Sequence, residues 1–155
     1  MDFERLLQDR SRWNTEECSI GKALDLLSTK TAFLIVRECF YGSTRFDEFA
    51  ERIGVSAPAV SRALKQLEAA GVVEKVPYRE PGQRKRDGYV LTQMGKDLLP
   101  VLLSLLKWGD EYLQGGHKPL TLIDKKTGRE IGVEVTSRPG QAVSADGIEI
   151  RRARC

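Results

Sequence analysis

The stretch Gly54-Val-Ser-Ala-Pro-Ala-Val-Ser-Arg-Ala-Leu-Lys-Gln-Leu-Glu-Ala-Ala-Gly71 decides the fold. Ser56 suits the N-cap of a helix, Pro58 its first turn, and Gly71 a left-handed C-terminal end. One face repeats apolar residues at three- and four-residue spacing, which predicts burial of that face: Ala59, Val60, Ala63, Leu64 and Leu67. The opposite face is polar and basic: Ser61, Arg62, Lys65 and Gln66. Such side chains read base edges in the DNA major groove, although an ordinary amphipathic surface helix has the same pattern.

The sequence on both sides favours the DNA-binding interpretation. Residues 44–53 predict a short helix, and only Gly54-Val55 separates it from the next one. A short helix, a turn with glycine and a basic-faced second helix form the helix-turn-helix pattern. Downstream, residues 72–76 and 89–92 are strand-like and flank a turn-rich basic loop from Pro77 to Gly88. A recognition helix followed by a two-stranded ribbon with a charged tip predicts a winged helix.

The charge of the chain is concentrated in this loop. The formal net charge of the 155 residues is +3, which alone does not establish a polyanionic partner. Residues 75–87 contain five basic and two acidic residues. Such a run is usually only solvated, but beside a recognition helix we expect it to contact phosphates or the minor groove. The residues expected to do so are Arg79, Arg84, Lys85 and Arg86.

Helices are also predicted on both sides of the helix-turn-helix. Ile20 to Leu27 has helical spacing, and Thr31 to Tyr41 is apolar on most sides, as a central core helix would be. Thr92 suits the N-cap of a long helix to about residue 113, which Pro100 should bend. That helix has more apolar residues than one core face needs, so we expect a second subunit to cover the surplus. The expected interface residues are Leu98, Val101, Leu102, Leu105, Trp108 and Tyr112.

Gly115-Gly116 marks a boundary, because the hydrophobic pattern changes there from helical to alternating. The tail predicts a small antiparallel sheet of three strands docked on the helical part. We therefore expect an N-terminal arm (1–17), a winged-helix DNA-binding and dimerisation domain (18–114) and a C-terminal β extension (115–155). The arm is either a short helix packed on a partner or a loose segment. The fold class is α+β, mainly α.

Several classes of protein are disfavoured. The N-terminus lacks the pattern of a signal peptide, and the longest apolar stretch is about half the ~20 residues of a membrane helix, so we expect a cytoplasmic protein. Cys18, Cys39 and Cys155 lie far apart, and His117 is the single histidine. We therefore predict no disulfide framework, no metal site and no cofactor. Neither a nucleophile–base pair nor a phosphate-binding loop is present, which argues against an enzyme.

The order and spacing of several motifs resemble those of the HxlR-type winged-helix regulators. These are bacterial dimeric DNA-binding proteins related to the MarR type. The similarity covers roughly residues 15–113, and its motifs are Cys18-Ser-Ile-Gly-Lys-Ala-Leu-Asp-Leu-Leu27, Leu34-Ile-Val-Arg-Glu38, Arg45-Phe-Asp-Glu-Phe49, Ser61-Arg-Ala-Leu-Lys-Gln-Leu-Glu-Ala-Ala-Gly-Val-Val73, Tyr89-Val-Leu-Thr92 and Trp108-Gly109. The strand-rich tail resembles an extension found in some of these regulators. The resemblance implies a homodimeric transcription regulator on a near-palindromic operator in double-stranded DNA.

Two departures from the family pattern affect these expectations. Lys30-Thr31 stands where the family usually has a Trp after the Lys, so packing there should differ. Relatives often have cysteines around the turns of the tail, where this chain has Thr127-Gly128 and residues 137–140. A metal-bound or disulfide-bonded tail is therefore not expected.

The fold implied by the resemblance places the N-terminal part of helix 57–70 in the major groove. The residues expected nearest the DNA are Ser56, Pro58, Ser61, Arg62 and Lys65. Arg62 is assigned to base edges, Ser61 to a base or a phosphate, and Lys65 to a phosphate. The alternative function is a winged helix used for protein contact without specific DNA binding.

Cys18 aligns with a position that some redox-sensing members of this family use to detect quinones or oxidants. Such a thiol must be exposed and helped by positive charge or a helix N-terminus. Cys18 precedes a predicted helix with Lys22 one turn later, whereas Glu16 and Glu17 oppose the effect. An inert structural thiol is the alternative, and a small-molecule or oxidant effector remains an expected partner. Cys39 lies in the most apolar helix and is expected in the core.

Overall fold

The computed structural model describes residues 2–3, 5, 9–10, 13–79, 82, 86–138, 141–142 and 149–150. The chain divides into two compact units, one formed by residues 16–102 and the other by residues 1–15 and 103–155. The fold is mainly α with short antiparallel ribbons, which confirms the predicted class. In the part of the chain described, every helix is too short or too polar to cross a membrane.

Helices dominate the first unit. A 3-10 turn at Thr15–Glu17 precedes α1 (Ser19–Leu26), α2 (Lys30–Phe40), α3 (Phe46–Ile53) and α4 (Ala57–Ala69). Strands β2 (Val73–Tyr78) and β3 (Arg86–Leu91), the short helix α5 (Gln93–Lys96) and the start of α6 (Leu99–Leu113) follow. The helix-turn-helix is α3, a turn and α4, as predicted, and Gly54 ends α3 with a left-handed φ of 70°.

Helix α2 is the central element of the first unit, as its apolar sequence predicted. Its Ala32, Ile35 and Val36 are fully buried, and its largest set of contacts is with α4. The core is completed by side chains from α3, α4, the residue before β2 and both strands: Phe49, Val60, Ala63, Leu64, Leu67, Val72, Val73 and Leu91. The apolar face of α4 is therefore fixed inward, which fixes its polar face outward.

A buried ionic cluster beside this core was not predicted from the sequence. Glu38 is only 5% exposed, and its carboxylate lies 2.6 Å from Arg37 Nη2. The Ser43 hydroxyl donates to Glu38 Oε2 at 3.2 Å and accepts from Arg52 Nη1 at 2.5 Å. Because a buried carboxylate is costly unless it is paired, these contacts fix the end of α2 against α3.

Glu48 closes the start of α3 by accepting the backbone N–H groups of Thr44 and Arg45, both at 3.0 Å. These hydrogen bonds, followed by the charges of Arg45 and Arg52, lower the pKa of Glu48 from 4.5. Because the folded pKa lies below the unfolded one, the carboxylate adds stability above about pH 4.5 and loses it as the pH falls through the folded value.

The predicted long helix from Thr92 is wrong as a single element. Thr92 is the N-cap of α5, as predicted, with its hydroxyl accepting from Gly95 N at 3.2 Å. Helix α5 ends at Lys96, and α6 begins at Leu99. Pro100 has no N–H to donate to the Lys96 carbonyl, so the helix stops there and Pro100 instead occupies the first turn of α6. The helix is therefore interrupted between Lys96 and Leu99, where the sequence predicted only a bend.

The ribbon is longer than predicted. Six residue pairs join β2 to β3 in antiparallel register from Val73↔Leu91 to Tyr78↔Arg86, so each strand reaches further toward the loop than predicted. Tyr89 N also donates to the Thr44 carbonyl at 2.7 Å, which ties the ribbon to the entry of α3. We call residues 73–91 the wing.

In the second unit, the predicted three-stranded antiparallel sheet is wrong. The described residues form one hairpin of β4 (Thr136–Arg138) and β5 (Gln141–Ala142) and a parallel pair of β1 (Asp2–Phe3) with β6 (Glu149–Ile150). A single bridge, Ile123↔Glu130, closes the predicted turn at residues 125–128. An alternating sequence indicates that a segment has an apolar and a polar face, but it does not specify a neighbouring strand to pair with. Here the alternating residues Leu122, Ile131 and Val133 line a cavity.

Candidate nucleic-acid interface

Helix α4 exposes the side chains that the sequence assigned to DNA. Ser56, Pro58, Arg62 and Lys65 are exposed, and Ser61 is half-buried at the edge of the same face. Because Arg62 and Lys65 are three residues apart and Ser61 and Lys65 four, these side chains lie on one side of the helix.

The predicted side-chain cap by Ser56 is wrong, although Ser56 is the N-cap residue. Its side chain makes no cap hydrogen bond, and Pro58 in the first turn offers no N–H. The Ser56 carbonyl accepts from Ala59 and Val60 at 2.9 and 3.1 Å. The Ser56 hydroxyl therefore stays available at the exposed end of α4, where the positive end of the helix dipole favours a phosphate.

The cations of α4 differ from those around it in having no acidic partner. Within the described residues, neither Arg62 nor Lys65 forms an ion pair or a side-chain hydrogen bond. By contrast, Arg52 lies 3.8 Å from Glu48, and Lys75 lies 2.9 Å from Glu68. Positive charge on the outer face of α4 is thus uncompensated, as a surface that binds phosphates requires.

Gln66 was predicted to face outward but is engaged within the chain. Its Nε2 donates to the Leu26 carbonyl at 2.6 Å and approaches the Asp25 carbonyl and the Ser28 hydroxyl at 3.4 and 3.3 Å. These carbonyls and hydroxyl lie at the end of α1, where backbone acceptors lack helical donors. Gln66 therefore holds α1 to α4 and is not a DNA-reading residue.

The wing places two of its predicted cations at the end of the ribbon. Arg86 pairs across the ribbon with Tyr78, Arg79 follows Tyr78 directly, and both arginines are exposed. Arg84 and Lys85 lie outside the described residues. Lys75 belongs to the charge excess counted from the sequence, but its pKa is raised by the hydrogen bond and charge of Glu68, so its charge is already engaged.

The residues predicted for dimerisation divide into two groups. Val101, Leu105, Trp108 and Tyr112 are 46%, 52%, 54% and 70% exposed, and they recur along α6 at three- and four-residue spacing. We call these four the α6 stripe. The Trp108 and Tyr112 rings are 5.7 Å apart and form one aromatic patch. Leu98 and Leu102 are half-buried, and Leu98 packs against the core of its own unit.

Helix α1 adds exposed apolar surface that the sequence did not single out. Ile20 and Leu24 lie one turn apart and are 72% and 63% exposed. None of the residues of α1 is buried. The helical spacing of these residues in the sequence indicates an apolar face. Spacing alone does not show whether the same chain or a second chain covers that face.

Residues 26–117 match the family model of the HxlR-like helix-turn-helix proteins, which is more than half of the chain. The chain belongs to this HxlR-like family. An HTH-type transcriptional regulator of Mycobacterium bovis, Mb3122, is 34% identical over 142 residues, covering 82% of this chain and 89% of the relative. Among solved structures, PA1607, described as a transcription factor, is 27% identical with a TM-score of 0.77, covering 88% of this chain and 96% of that one.

A second solved structure, the redox regulator HypR in its oxidised form, is 26% identical with a TM-score of 0.54. The match covers 61% of this chain and 96% of that one. Together with the exposed face of α4, the comparisons make this HxlR-like protein a transcriptional regulator with a DNA-binding helix-turn-helix. The role that these relatives share, transcriptional regulation, is a non-enzymatic one.

The two described cysteines of this HxlR-like regulator have opposite surroundings. Cys18 is exposed and is the N-cap of α1, where its Sγ accepts the Gly21 N–H at 3.4 Å. Cys39 packs against the core, and burial followed by the nearby Glu38 charge raises its pKa to about 12. Because the thiolate is the reactive form, the raised pKa disfavours reaction at Cys39, and Cys18 is the exposed thiol among the described residues.

Proposed function

We propose that the protein is a homodimer that binds a near-palindromic operator in double-stranded DNA. The observation that carries this proposal is the asymmetry of α4. Four of the five residues on its apolar face are buried, while Arg62 and Lys65 on the outer face have no carboxylate partner in the described part of the chain. The buried face holds the helix rigid, and the exposed face presents groups that bind bases and phosphates.

Each residue has a distinct proposed role. Arg62 contacts base edges, where guanine offers two acceptors to its planar fork, and Ser61 contacts a base or a phosphate. Lys65 contacts phosphate, and Ser56 and Pro58 lie beside the backbone at the start of α4. The wing cations bind phosphates or the adjacent minor groove: Arg79, Arg84, Lys85 and Arg86. A regulator with these contacts acts in the cytoplasm, where bacterial DNA lies.

The α6 stripe supports the homodimer. Four large side chains that are about half exposed or more form an apolar face that a monomer would leave in water. A two-fold interface would use the same stripe from both subunits, so each side chain would contribute buried apolar surface from both subunits. Two recognition helices related by that axis would meet half-sites about one DNA turn, ~34 Å, apart.

Replacing Arg62 with Ala is expected to reduce preference for the operator over random DNA by about 10- to 100-fold. Loss of one base-reading arginine costs about 1–3 kcal/mol, and ~1.4 kcal/mol corresponds to a factor of ten. The measurement is competition binding of labelled operator against unlabelled random duplex. Arg129→Ala, an exposed arginine of the tail, is the matched control and should behave like the wild type.

The wing gives a contrasting variant for the same measurement. Arg86→Ala is expected to weaken operator and random DNA alike and to flatten the dependence of affinity on salt, because a phosphate contact carries no base information. Unchanged preference in Arg62→Ala would remove Arg62 from the base-reading site. A salt slope equal to wild type in Arg86→Ala would remove the wing contact.

Cys18 is the proposed redox-sensitive residue of the regulator. Its support is its exposure, its place at the N-terminus of α1 and the similarity of the chain to HypR. Treatment with a quinone or peroxide is expected to change operator affinity in the wild type and not in Cys18→Ser. Cys39→Ser serves as the control and should respond like the wild type. Equal responses of the wild type and Cys18→Ser would assign Cys18 a structural role.

A further inference from the structure

A cavity of about 350 Å³ lies within the second unit. Its volume falls in the range of ~300–1,000 Å³ typical of small-molecule sites. One wall is α6, and the others come from residues 116–122 and 130–133. The apolar side chains that line it are Leu103, Leu106, Leu120, Leu122, Ile131 and Val133. A cavity with such walls suits a ligand with a hydrophobic body.

The charged groups around the cavity leave a negative excess. Lys118 and Glu130 form an ion pair at 2.7 Å. The pKa of Lys118 is raised mainly by Glu130 and less by the charges of Asp110 and Glu111, so most of its charge is taken by Glu130. Lys107, Asp110 and Glu111 remain on the α6 wall, one cation against two carboxylates. An anionic ligand would therefore be repelled, and a cationic one would be attracted.

Asp110 is the unusual member of this set. It is only 6% exposed, yet its carboxylate has a single side-chain hydrogen bond within the described residues, a long one of 3.4 Å from Gln114 Nε2. A buried carboxylate ordinarily has several short hydrogen bonds or a cation beside it, because its desolvation is otherwise uncompensated. Asp110 thus offers an acceptor at the cavity wall that a ligand donor would satisfy.

We propose that this cavity binds a small hydrophobic amine in its protonated form. The ammonium group donates to the Asp110 carboxylate, with Glu111 as a second negative charge, and the apolar body packs against the leucines of α6 and the tail. The amine is the effector of the regulator. Only this last step rests on the proposed function, because the binding itself needs no DNA.

Calorimetry with this chain and three probes of similar length tests the site. Phenylbutylamine is expected to bind about 5- to 10-fold more tightly than phenylbutanol, because a charge-assisted hydrogen bond exceeds a neutral one by roughly 1–1.5 kcal/mol. Phenylbutyrate should bind most weakly. In Asp110→Asn the amine should lose this advantage, whereas Glu134→Gln, an exposed carboxylate outside the cavity lining, should behave like the wild type.

A second variant keeps the site testable if Asp110→Asn does not fold. Leu120 lines the cavity and is 52% exposed, so replacing it should leave the fold intact. Leu120→Lys removes part of the apolar wall and adds a cation that repels the ammonium group, so it should weaken amine binding by about 10-fold or more, given roughly 1.4 kcal/mol per factor of ten. Equal affinities of amine and alcohol for the wild type, or full amine binding by Leu120→Lys, would overturn the site.

The effector role is tested separately from amine binding, by measuring operator affinity. Saturating phenylbutylamine is expected to change the operator affinity of the wild type and to leave that of Leu120→Lys unchanged. If the amine binds and operator affinity does not change, the effector role is refuted while the site stands. If the protein binds no operator at all, the proposed function fails and the calorimetric result is unaffected.

Discussion

Leu105→Glu is expected to produce a monomer and to lower operator affinity by about 100-fold or more. Leu105 lies in the middle of the α6 stripe and is 52% exposed in the single chain. Burying a leucine contributes about 1.5–3 kcal/mol. In a two-fold interface the substitution removes this contribution from both subunits and buries two glutamate charges, so its cost is doubled. Linking two DNA-binding units raises overall affinity by ~10²–10⁴, which the monomer forfeits.

Sedimentation equilibrium and operator titration measure the two consequences on the same sample. Val135→Glu is the matched control, because Val135 is also an exposed apolar residue, 60% accessible, but lies outside the α6 stripe. It should remain a dimer with unchanged operator affinity. A Leu105→Glu protein that stays dimeric would place the interface elsewhere, for example on Ile20 and Leu24 of α1 alone.

Gly95→Ala is expected to lower the unfolding free energy by about 2 kcal/mol or more. A Cβ at Gly95 would lie 2.2 Å from the Val72 carbonyl oxygen and 2.9 Å from Leu91 Cδ2. The Val72 carbonyl is held by the Thr92 amide at 3.1 Å, so the backbone cannot yield without losing that hydrogen bond. Overpacking costs ~1–3 kcal/mol, more against backbone, and exceeds the gain in helix propensity of about 1 kcal/mol.

Thermal unfolding measures this effect, with a fall in Tm on the order of 10 °C for a unit of this size. Gly109→Ala is the matched control, since a Cβ there meets no atom within 4 Å and the residue is also helical. It should be neutral or slightly stabilising, because alanine favours a helix by up to ~1 kcal/mol over glycine. Equal Tm values for Gly95→Ala and the wild type would contradict the close packing of α5 against Val72 and Leu91.

The parts of the fold that the sequence predicted are those fixed by local chemistry. The spacing of apolar residues in α2 and α4 predicts which faces are buried, because helical geometry alone determines which side chains share a face. Gly54 and Gly71 have the left-handed conformations that their positions in the turns predicted. Thr92 is an N-cap for the same reason, since a short hydroxyl side chain reaches the backbone of its own first turn.

The parts that were missed depend on partners distant in sequence. Gln66 is engaged within the chain because the end of α1 offers it a carbonyl 40 residues earlier. Glu38 is buried because Ser43 and Arg52 surround it, and no local pattern indicates that a glutamate in a helix will be buried. Tail residues 131–135 alternate as a strand does, but pairing requires a second strand that the alternation does not specify.

The candidate site also combines features that the sequence predicts with features that only the structure shows. Helical periodicity was enough to place Arg62 and Lys65 on the exposed face of α4, whereas only the structure shows that neither has a carboxylate partner among the described residues. The engagement of Lys75 by Glu68 is equally invisible in the sequence, because the two residues lie in different elements. Composition can count charges, but only geometry shows which of them are already neutralised.

Selection of bound duplexes from a random DNA pool tests the central claim most directly. The protein is expected to enrich one motif with an inverted repeat whose half-sites are centred about one helical turn apart. The same selection with Arg62→Ala should lose the enrichment at one position of each half-site. Enrichment of no motif, or of a single half-site without its inverted copy, would contradict a sequence-specific dimer and favour a winged helix that serves protein contact.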